Sequence, residues 1–229
     1  DQHMDFDFSD DQSALREAVQ KWVEKAYTFD RHTAIVAAGG FDRAAYNELA
    51  ELGLAGLYVS EDDGGMGMGP IEGMVVMEEL GRGIVLEPLA QTLITSGVLG
   101  GYAPAELKAA WLPRIASGEA LVVLAHQERK ARYKLDVCAT TASQAGSGWT
   151  VSGSKNVVPA ADQADAGIGN EIHKDDAPGE ETRDRINGRR DIGAAQFPAA
   201  EALVDQRIAA VDILRAGGAL DIDLGAIAE

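Results

Sequence analysis

The sequence of 229 residues carries 20 Lys and Arg against 37 Asp and Glu, which gives a formal net charge of −17 at pH 7. A field of this sign repels nucleic acids and anionic membrane surfaces, so we expect neither as a partner. Hydrophobic residues at 46% and charged residues at 25% exclude a mainly disordered chain and favour one or two folded domains.

The single cysteine and the short apolar runs indicate in which cellular compartment the protein is located. Cys138 is the single cysteine, which excludes an internal disulfide and is typical of a reducing compartment. The apolar runs are broken by glycine and are far shorter than the roughly 20 residues of a membrane span. Met4 is interpreted as the natural start, and no signal-peptide pattern follows it. We therefore expect a cytoplasmic protein.

The first 118 residues carry the signals of an all-helical domain. Ser9 and Gln12 have the spacing of a capping box. Asp42 is placed to cap a second helix, which Gly53 would end. Prolines can open three more helices, because the missing N–H of proline costs nothing at the first helical position. They are Pro70, Pro88 and Pro104. The pattern predicts five helices, the last of them kinked or shortened by Pro113.

The pair Gly65-x-Gly67 matches part of a dinucleotide-binding fingerprint. The third glycine of that fingerprint would fall on Pro70, and no βαβ pattern surrounds the pair. A partial match of this kind is more often a structural loop, because glycine is common in tight turns.

Beyond residue 118 the pattern becomes strand-like. The runs 120–125 and 135–142 predict strands. Residues 149–151 and 156–158 predict two further strands around a hairpin turn at 152–154. The expected closure is an antiparallel sheet or a small barrel.

The fold class that follows is α+β. We predict an N-terminal all-α domain over 1–118 and a middle β-domain, a sheet or barrel, over 119–205. Within it, 171–191 carries 7 acidic and 5 basic residues and is predicted to be a charged loop or a mobile segment. Residues 199–216 have helical spacing, and 206–229 would be the remnant of a C-terminal helical domain.

The histidines and the cysteine carry no metal-binding pattern. The four histidines have no companion ligands at metal spacing, so no metal site is expected. Cys138 lies in a strand-like run without a motif and is interpreted as a core residue.

A basic cluster stands out in this acidic chain. It consists of Arg129, Lys130, Arg132 and Lys134. The last three have the two-residue period that places side chains on one face of a strand. Such a cluster suits a phosphate-bearing ligand. The alternative is a solvated sheet face that pairs with the surplus carboxylates, which is what a run of charges usually indicates.

Several segments resemble a known family by their order and spacing. They are MDFDFSDDQ at 4–12, GLAGLYVSEDDGGMG at 53–67, MEELG at 77–81, LPRIASG at 112–118 and GWTVSGSK at 148–155. The family that these segments resemble is the acyl-CoA dehydrogenases, and the resemblance runs from about residue 4 to residue 166. The variant LAHQERKARY at 124–133 is similar to the small subunit of pimeloyl-CoA dehydrogenase.

The resemblance implies a helical domain, a β-domain and a C-terminal helical bundle, with FAD and an acyl-CoA substrate between the last two. It implies that a carboxylate removes the α-proton, that the β-hydride passes to the flavin, and that electron-transferring flavoprotein reoxidises the flavin. A homo- or hetero-oligomer with another acyl-CoA dehydrogenase chain is also implied. Most of the C-terminal bundle, with its catalytic glutamate, has no counterpart in this sequence, so the catalytic base stays unknown.

The resemblance also implies a set of cofactor-binding positions. They are Gln127, Glu128, Arg132, Tyr133, Val157, Val158 and Pro159. The family usually has Thr-Glu-Pro at 127–129, of which this chain retains Glu128. Arg132 and Tyr133 stand where a Gly-Ser pair approaches the flavin phosphates, and Pro159 has no N–H to donate. Arg129 and Lys130 are expected to contact the CoA part of the substrate.

The sequence therefore predicts FAD-dependent α,β-dehydrogenation of an acyl-CoA thioester. A second hypothesis comes from a different class of protein. The chain would then be a non-catalytic structural subunit or a truncated member, and a partner chain would supply the base and complete the flavin site.

Overall fold

A computed structural model describes residues 7–129, 131, 134, 137–145, 148–169, 172–173, 209–211 and 221–223. The predictions made for Lys130, Arg132 and Tyr133, and for most of 171–191, lie outside these residues.

Residues 7–129 contain six α-helices. They are α1 (Asp10–Ala26), α2 (Phe29–Ala37), α3 (Arg43–Glu51), α4 (Pro70–Arg82), α5 (Leu89–Tyr102) and α6 (Ala105–Ala116). The five predicted helices are confirmed, and the predicted count is wrong because α2 was not foreseen. Helix α2 buries only Ile35, so it lacks the apolar stripe by which a surface helix is recognised.

Polar contacts hold α2 in place instead. The Arg31 guanidinium donates to Glu48 Oε1 at 2.9 Å and to Asp42 Oδ2 at 3.1 Å. The indole of Trp22 donates to the other oxygen of Glu48 at 2.8 Å. These bonds join α1, α2 and α3, and the hydrogen bonds that Arg31 donates to Glu48 and Asp42 keep the pKa of Arg31 above its usual range despite partial burial.

The helix ends follow the capping signals of the sequence. Ser9 and Gln12 form the predicted capping box, and Gln12 Nε2 also donates to Glu72 at 2.8 Å. Gly53 adopts a φ of 82° after α3, which favours glycine. Pro70 is the first residue of α4, as predicted. Pro88 and Pro104 instead precede the first helical residue, and α6 continues past Pro113 to Ala116.

The loop that carries Gly65 folds back on the segment before it. Met66 N donates to Gly56 O at 2.9 Å, and Gly67 N donates to Val59 O at 2.7 Å. A β-carbon on Gly65 would collide with the backbone and side chain of Val59. The interpretation of this pair as a structural loop is therefore confirmed.

Seven short strands follow the helices within the described residues. They are β1 (Val122–Ala125), β2 (Thr141–Ala145), β3 (Gly148–Ser154), β4 (Ala166–Gly169), β5 (Ile172–His173), β6 (Ala209–Val211) and β7 (Asp221–Asp223). One sheet has the order β1-β4-β6 and the other β5-β2-β3-β7. The pairs β1–β4 and β2–β5 are parallel, so the sheets are mixed and not purely antiparallel as predicted.

Several predicted β elements differ from the structure. The run 120–125 is confirmed as β1. Of the predicted strand 135–142, Thr141 and Ala142 belong to β2. Residues 137–140 form no strand, because the N–H groups of Ala139 and Thr140 donate to Glu128 instead. The hairpin turn predicted at 152–154 is wrong, since β3 extends through these residues and pairs antiparallel with β2, with Ala145 opposite Gly148.

Two further predictions fail beyond the hairpin. Residues 156–158 form no strand, and Val157 has a φ of 52° that extended backbone excludes. The helix predicted over 199–216 is not formed at Ala209–Val211, which pairs with β4. Among the helices of the described residues, none combines the length and the apolar character that a membrane crossing requires.

Two of the buried clusters in the described residues connect most of the helices with the first sheet. One lies among α1, α3, α4 and α5 and contains Val19, Leu49, Leu57, Val76, Leu80 and Leu93. The other joins α5 and α6 to the first sheet and contains Leu99, Leu107, Ile115, Val122, Ala166 and Ile168. Because helices and strands share the second cluster, β1 and β4 are seated directly on the helical domain.

The Gly65 loop gives a stability prediction. Gly65→Ala should lower the free energy of unfolding by about 1–3 kcal/mol, because the new methyl group overpacks the loop. Gly97→Ala in α5 is the matched control, since its β-carbon would meet no atom within 4 Å. That change should be neutral or stabilise by about 0.5–1 kcal/mol. Urea unfolding measures both, and equal effects would contradict the packing assigned to Gly65.

A buried carboxyl group, Glu87, lies between Tyr27 and the start of α3. Glu87 is 5% exposed, and Asp42 N donates to Glu87 Oε1 at 3.3 Å. Burial raises the pKa of Glu87, and contacts with Tyr27 and backbone N–H groups offset this only in part. A carboxyl group with a raised pKa stabilises the fold below the unfolded pKa of about 4.3. That contribution is lost as pH rises through the folded pKa.

Glu87→Gln should therefore raise the free energy of unfolding at pH 7 by up to about 1 kcal/mol, and the gain should vanish near pH 4. Glu72→Gln is the control of opposite sign, because a hydrogen bond from Gln12 lowers the pKa of Glu72. Glu72→Gln should lower the free energy of unfolding at pH 7 and leave it unchanged at low pH. Urea unfolding between pH 4 and pH 8 tests both, and a loss of stability in Glu87→Gln at pH 7 would refute the assignment.

Candidate functional site

The candidate site forms where the chain leaves β1 and β3. Asn156 N donates to Gln127 O at 2.8 Å, and Arg129 N donates to Asn156 Oδ1 at 2.8 Å. Asn156 thus holds the residues after β1 through its backbone and its side chain together. Two segments that are distant in sequence become one local surface.

Glu128 lies at the centre of this site and is 4% exposed. Its Oε1 accepts from Lys155 Nζ at 2.8 Å, from Thr140 Oγ1 at 2.6 Å and from Thr140 N at 3.0 Å. Its Oε2 accepts from Ala139 N at 2.5 Å. Both carboxylate oxygens are therefore occupied by protein donors, and three segments of chain meet at one side chain.

The surroundings of Glu128 favour its charged form. Burial by itself would raise the pKa, but hydrogen bonds from Lys155, Thr140 and the backbone N–H groups of Ala139 and Thr140 lower the pKa of Glu128 to about 2. Lys155 is also buried at 4% exposure. The pair is thus a buried carboxylate and ammonium that compensate one another.

Cys138 completes the cluster. Its Sγ lies 3.3 Å from Glu128 Oε1 and 3.6 Å from Lys155 Nζ. Burial, together with the charge of Glu128, raises the pKa of the Cys138 thiol to about 11, although Lys155 acts in the opposite direction. The thiol is protonated at neutral pH and is a hydrogen-bond donor at the site. It is half-buried, and the core position predicted for it is only partly confirmed.

The segment after Asn156 turns sharply. Val157 and Ala160 have φ values of 52° and 59°, a region that β-branched side chains rarely adopt. The Val157 side chain is 82% exposed. Val158 instead packs against the buried cluster that contains Tyr46 and Leu121. Adjacent residues therefore point in opposite directions, one to solvent and one to the core.

Four predicted positions lie on the surface of the site, and two lie inside it. Gln127, Arg129, Val157 and Pro159 are exposed, and we call this set the ridge. Glu128 is buried and Val158 is half-buried, so these two anchor the ridge from within. The predictions that the ridge residues contact a cofactor or CoA, and that Glu128 and Val158 contact a cofactor, stay predictions.

The site is tied to the helical domain by a shared carboxylate. Asp165 Oδ2 accepts from Arg43 Nη2 of α3 at 3.1 Å and from Leu121 N at 2.8 Å. The Arg43 guanidinium also lies over the rings of Phe41 and Tyr46, at 5.5 and 5.7 Å from their centroids. The start of β1, and with it the ridge, is placed relative to α3.

Sequence reasoning did not assign roles to Lys155, Asn156 or Thr140. Lys155 closes the GWTVSGSK segment, and its position beside a strand was the available signal. A lysine at such a place is exposed in most proteins, and the sequence does not indicate that a carboxylate 27 residues away would bury it.

Known proteins match this chain mainly through its helices. The family described as acyl-CoA dehydrogenase, N-terminal domain, matches residues 9–119. Acyl-CoA dehydrogenase FadE12 of Mycobacterium tuberculosis is 29% identical over 160 residues, which cover 69% of this chain and 41% of that protein.

Solved structures share the fold. The acyl-CoA dehydrogenase of Geobacillus kaustophilus superposes with a TM-score of 0.68 at 22% identity, over 76% of this chain and 46% of that one. A glutaryl-CoA dehydrogenase of Mycobacterium smegmatis in complex with FADH2 gives 0.63 at 19% identity, over 73% and 44%. The chain thus spans less than half the length of these proteins. Residues 9–119 of this chain therefore match the N-terminal domain of acyl-CoA dehydrogenases, and the chain as a whole is similar to members of that family.

Proposed function

We propose that this chain contributes to FAD-dependent α,β-dehydrogenation of an acyl-CoA thioester. The observation that carries the proposal is the ridge, a surface at the end of β1 that Asn156 joins by hydrogen bonds and on which predicted cofactor positions are exposed together. Similarity to acyl-CoA dehydrogenases supports the reaction class, and a solved structure of the same fold with FADH2 supports the cofactor.

The chemistry of the ridge fits a flavin. A flavin needs an apolar contact for its ring, hydrogen-bond donors at its polar edge and positive charge near its phosphates. Val157 offers an exposed apolar side chain, and Gln127 offers an amide. Arg129 is exposed, and within the described residues it forms no ion pair. Its charge is therefore open to an anionic ligand.

FAD would supply the hydride acceptor of the reaction. The residues of this chain would bind and orient that group, with Gln127 and Val157 at the ring and Arg129 near a phosphate of FAD or CoA. Glu128 would hold the ridge from within and keep its own charge compensated by Lys155. We assign the α-proton-abstracting base to no residue of this chain.

The proposal extends to partners. An acyl-CoA is the substrate, and electron-transferring flavoprotein is the electron acceptor. A second acyl-CoA dehydrogenase chain, identical or different, is the proposed oligomeric partner. The finer similarity to the small subunit of pimeloyl-CoA dehydrogenase, the domain boundaries near 118 and 205, and a cytoplasmic location remain proposals of the same kind.

Flavin uptake tests the proposal directly. The purified chain, alone and with added FAD, should give a visible spectrum with the flavin bands shifted from those of free FAD, because the ridge removes part of the ring from water. A protein that stays colourless after incubation with FAD and gel filtration would overturn the proposal for this chain. That result would favour the structural-subunit hypothesis.

Charge reversal on the ridge tests the phosphate contact. Arg129→Glu should weaken binding of a CoA ester or FAD by about two- to fivefold, because an exposed ion pair is worth up to about 1 kcal/mol. Lys21→Glu on α1 changes the net charge equally, and Lys21 is exposed with a partner on its own helix. It should leave affinity unchanged. If calorimetry gives equal affinities for the two variants, Arg129 belongs to a solvated face.

A further inference from the structure

We infer that Lys155 is a positioning residue, which sets the place of residues 156–160 against residues 127–129 by acting through Glu128. The inference rests on the proposed function, because the ridge matters as the surface that meets the cofactor. Lys155 itself is 4% exposed and points away from that surface, toward Glu128. It is therefore distinct from a residue that contacts the flavin.

The connectivity makes Lys155 a direct link between the two halves of the ridge. It immediately precedes Asn156, whose N–H and side-chain oxygen bind Gln127 and Arg129. Its ammonium binds Glu128, the residue between those two, at 2.8 Å. The hydrogen bonds of Asn156 and the ion pair of Lys155 thus both join residues 155–156 to residues 127–129.

The charge of Lys155 also determines what Glu128 can accept. An ionised carboxylate is acceptor-only, whereas a protonated carboxyl group presents a donor. Glu128 faces the N–H groups of Ala139 and Thr140 and the hydroxyl of Thr140. Without the ammonium, burial disfavours the carboxylate, and a proton on Glu128 would face these donors. Loss of Lys155 should therefore loosen residues 138–140 as well as 156–160.

The experiment uses the full chain with Lys155→Met and two readouts. Hydrogen exchange by NMR reports the amides of Arg129 and Asn156 without ligand, and flavin fluorescence reports the FAD dissociation constant. We expect exchange at both amides to become faster by about tenfold or more. FAD binding should weaken by about tenfold or more. Lys155→Arg keeps the charge and should restore exchange and affinity at least in part.

A matched control separates positioning from general loss of stability. Arg16 of α1 pairs with the buried carboxylate of Glu79 in α4 at 3.5 Å. Arg16→Met should lower the urea midpoint yet leave the two amides and the FAD dissociation constant unchanged. If Lys155→Met does not fold, the double variant Glu128→Gln with Lys155→Met removes both charges. It should still lose protection at Arg129 and Asn156, because the Gln amide places donors against the N–H groups.

Unchanged exchange at Arg129 and Asn156 in folded Lys155→Met, or in the double variant where Lys155→Met does not fold, would overturn the inference. So would an equal change in these amides and in FAD affinity in Arg16→Met, because the effect would then be general. If the unaltered chain takes up no FAD while Lys155→Met still speeds exchange at both amides, the proposed function fails and the positioning role stands. The two ideas therefore fail separately.

Discussion

The buried pair of Glu128 and Lys155 is the interaction on which the candidate site depends. Both side chains are 3% exposed, and 2.8 Å separates Lys155 Nζ from Glu128 Oε1. Removing one partner of such a pair typically costs about 3–5 kcal/mol, because the remaining charge stays buried without compensation. Losing either residue of the pair is therefore costly, even though the net stabilisation from the intact pair is small.

Around this pair, apolar and polar contacts have different roles. The helices supply a buried apolar platform, which β1 and β4 extend through the cluster around Ile115 and Ile168. Hydrogen bonds and ion pairs then fix the orientation of β1 and the ridge relative to the helices. Asp165 ties β1 to α3 through Arg43, and Asn156 joins the two halves of the ridge. Apolar burial is not directional and hydrogen bonds are, so placement of the ridge falls to the polar groups.

Strain is concentrated beside the same junction. Val157 holds a left-handed backbone conformation that costs a β-branched residue of order 1–3 kcal/mol. Its neighbours secure it on both sides, since Asn156 is hydrogen-bonded and Val158 packs with the cluster that contains Tyr46. The result is an apolar side chain held outward. This arrangement agrees with a surface built to meet a flat ligand, which is the role we propose for the ridge.

The sequence by itself determined the elements whose causes are local. The capping box at Ser9, the helix start at Pro70 and the strand 120–125 depend on neighbours within a few residues, so they could be predicted. Tertiary structure decided the rest, because the deciding partners are far apart in the chain. Glu128 takes the N–H groups of Ala139 and Thr140 from the predicted strand 135–142, and Arg31 places α2 through Glu48. Local pattern carries no information on such contacts, since they exist only once the chain has folded.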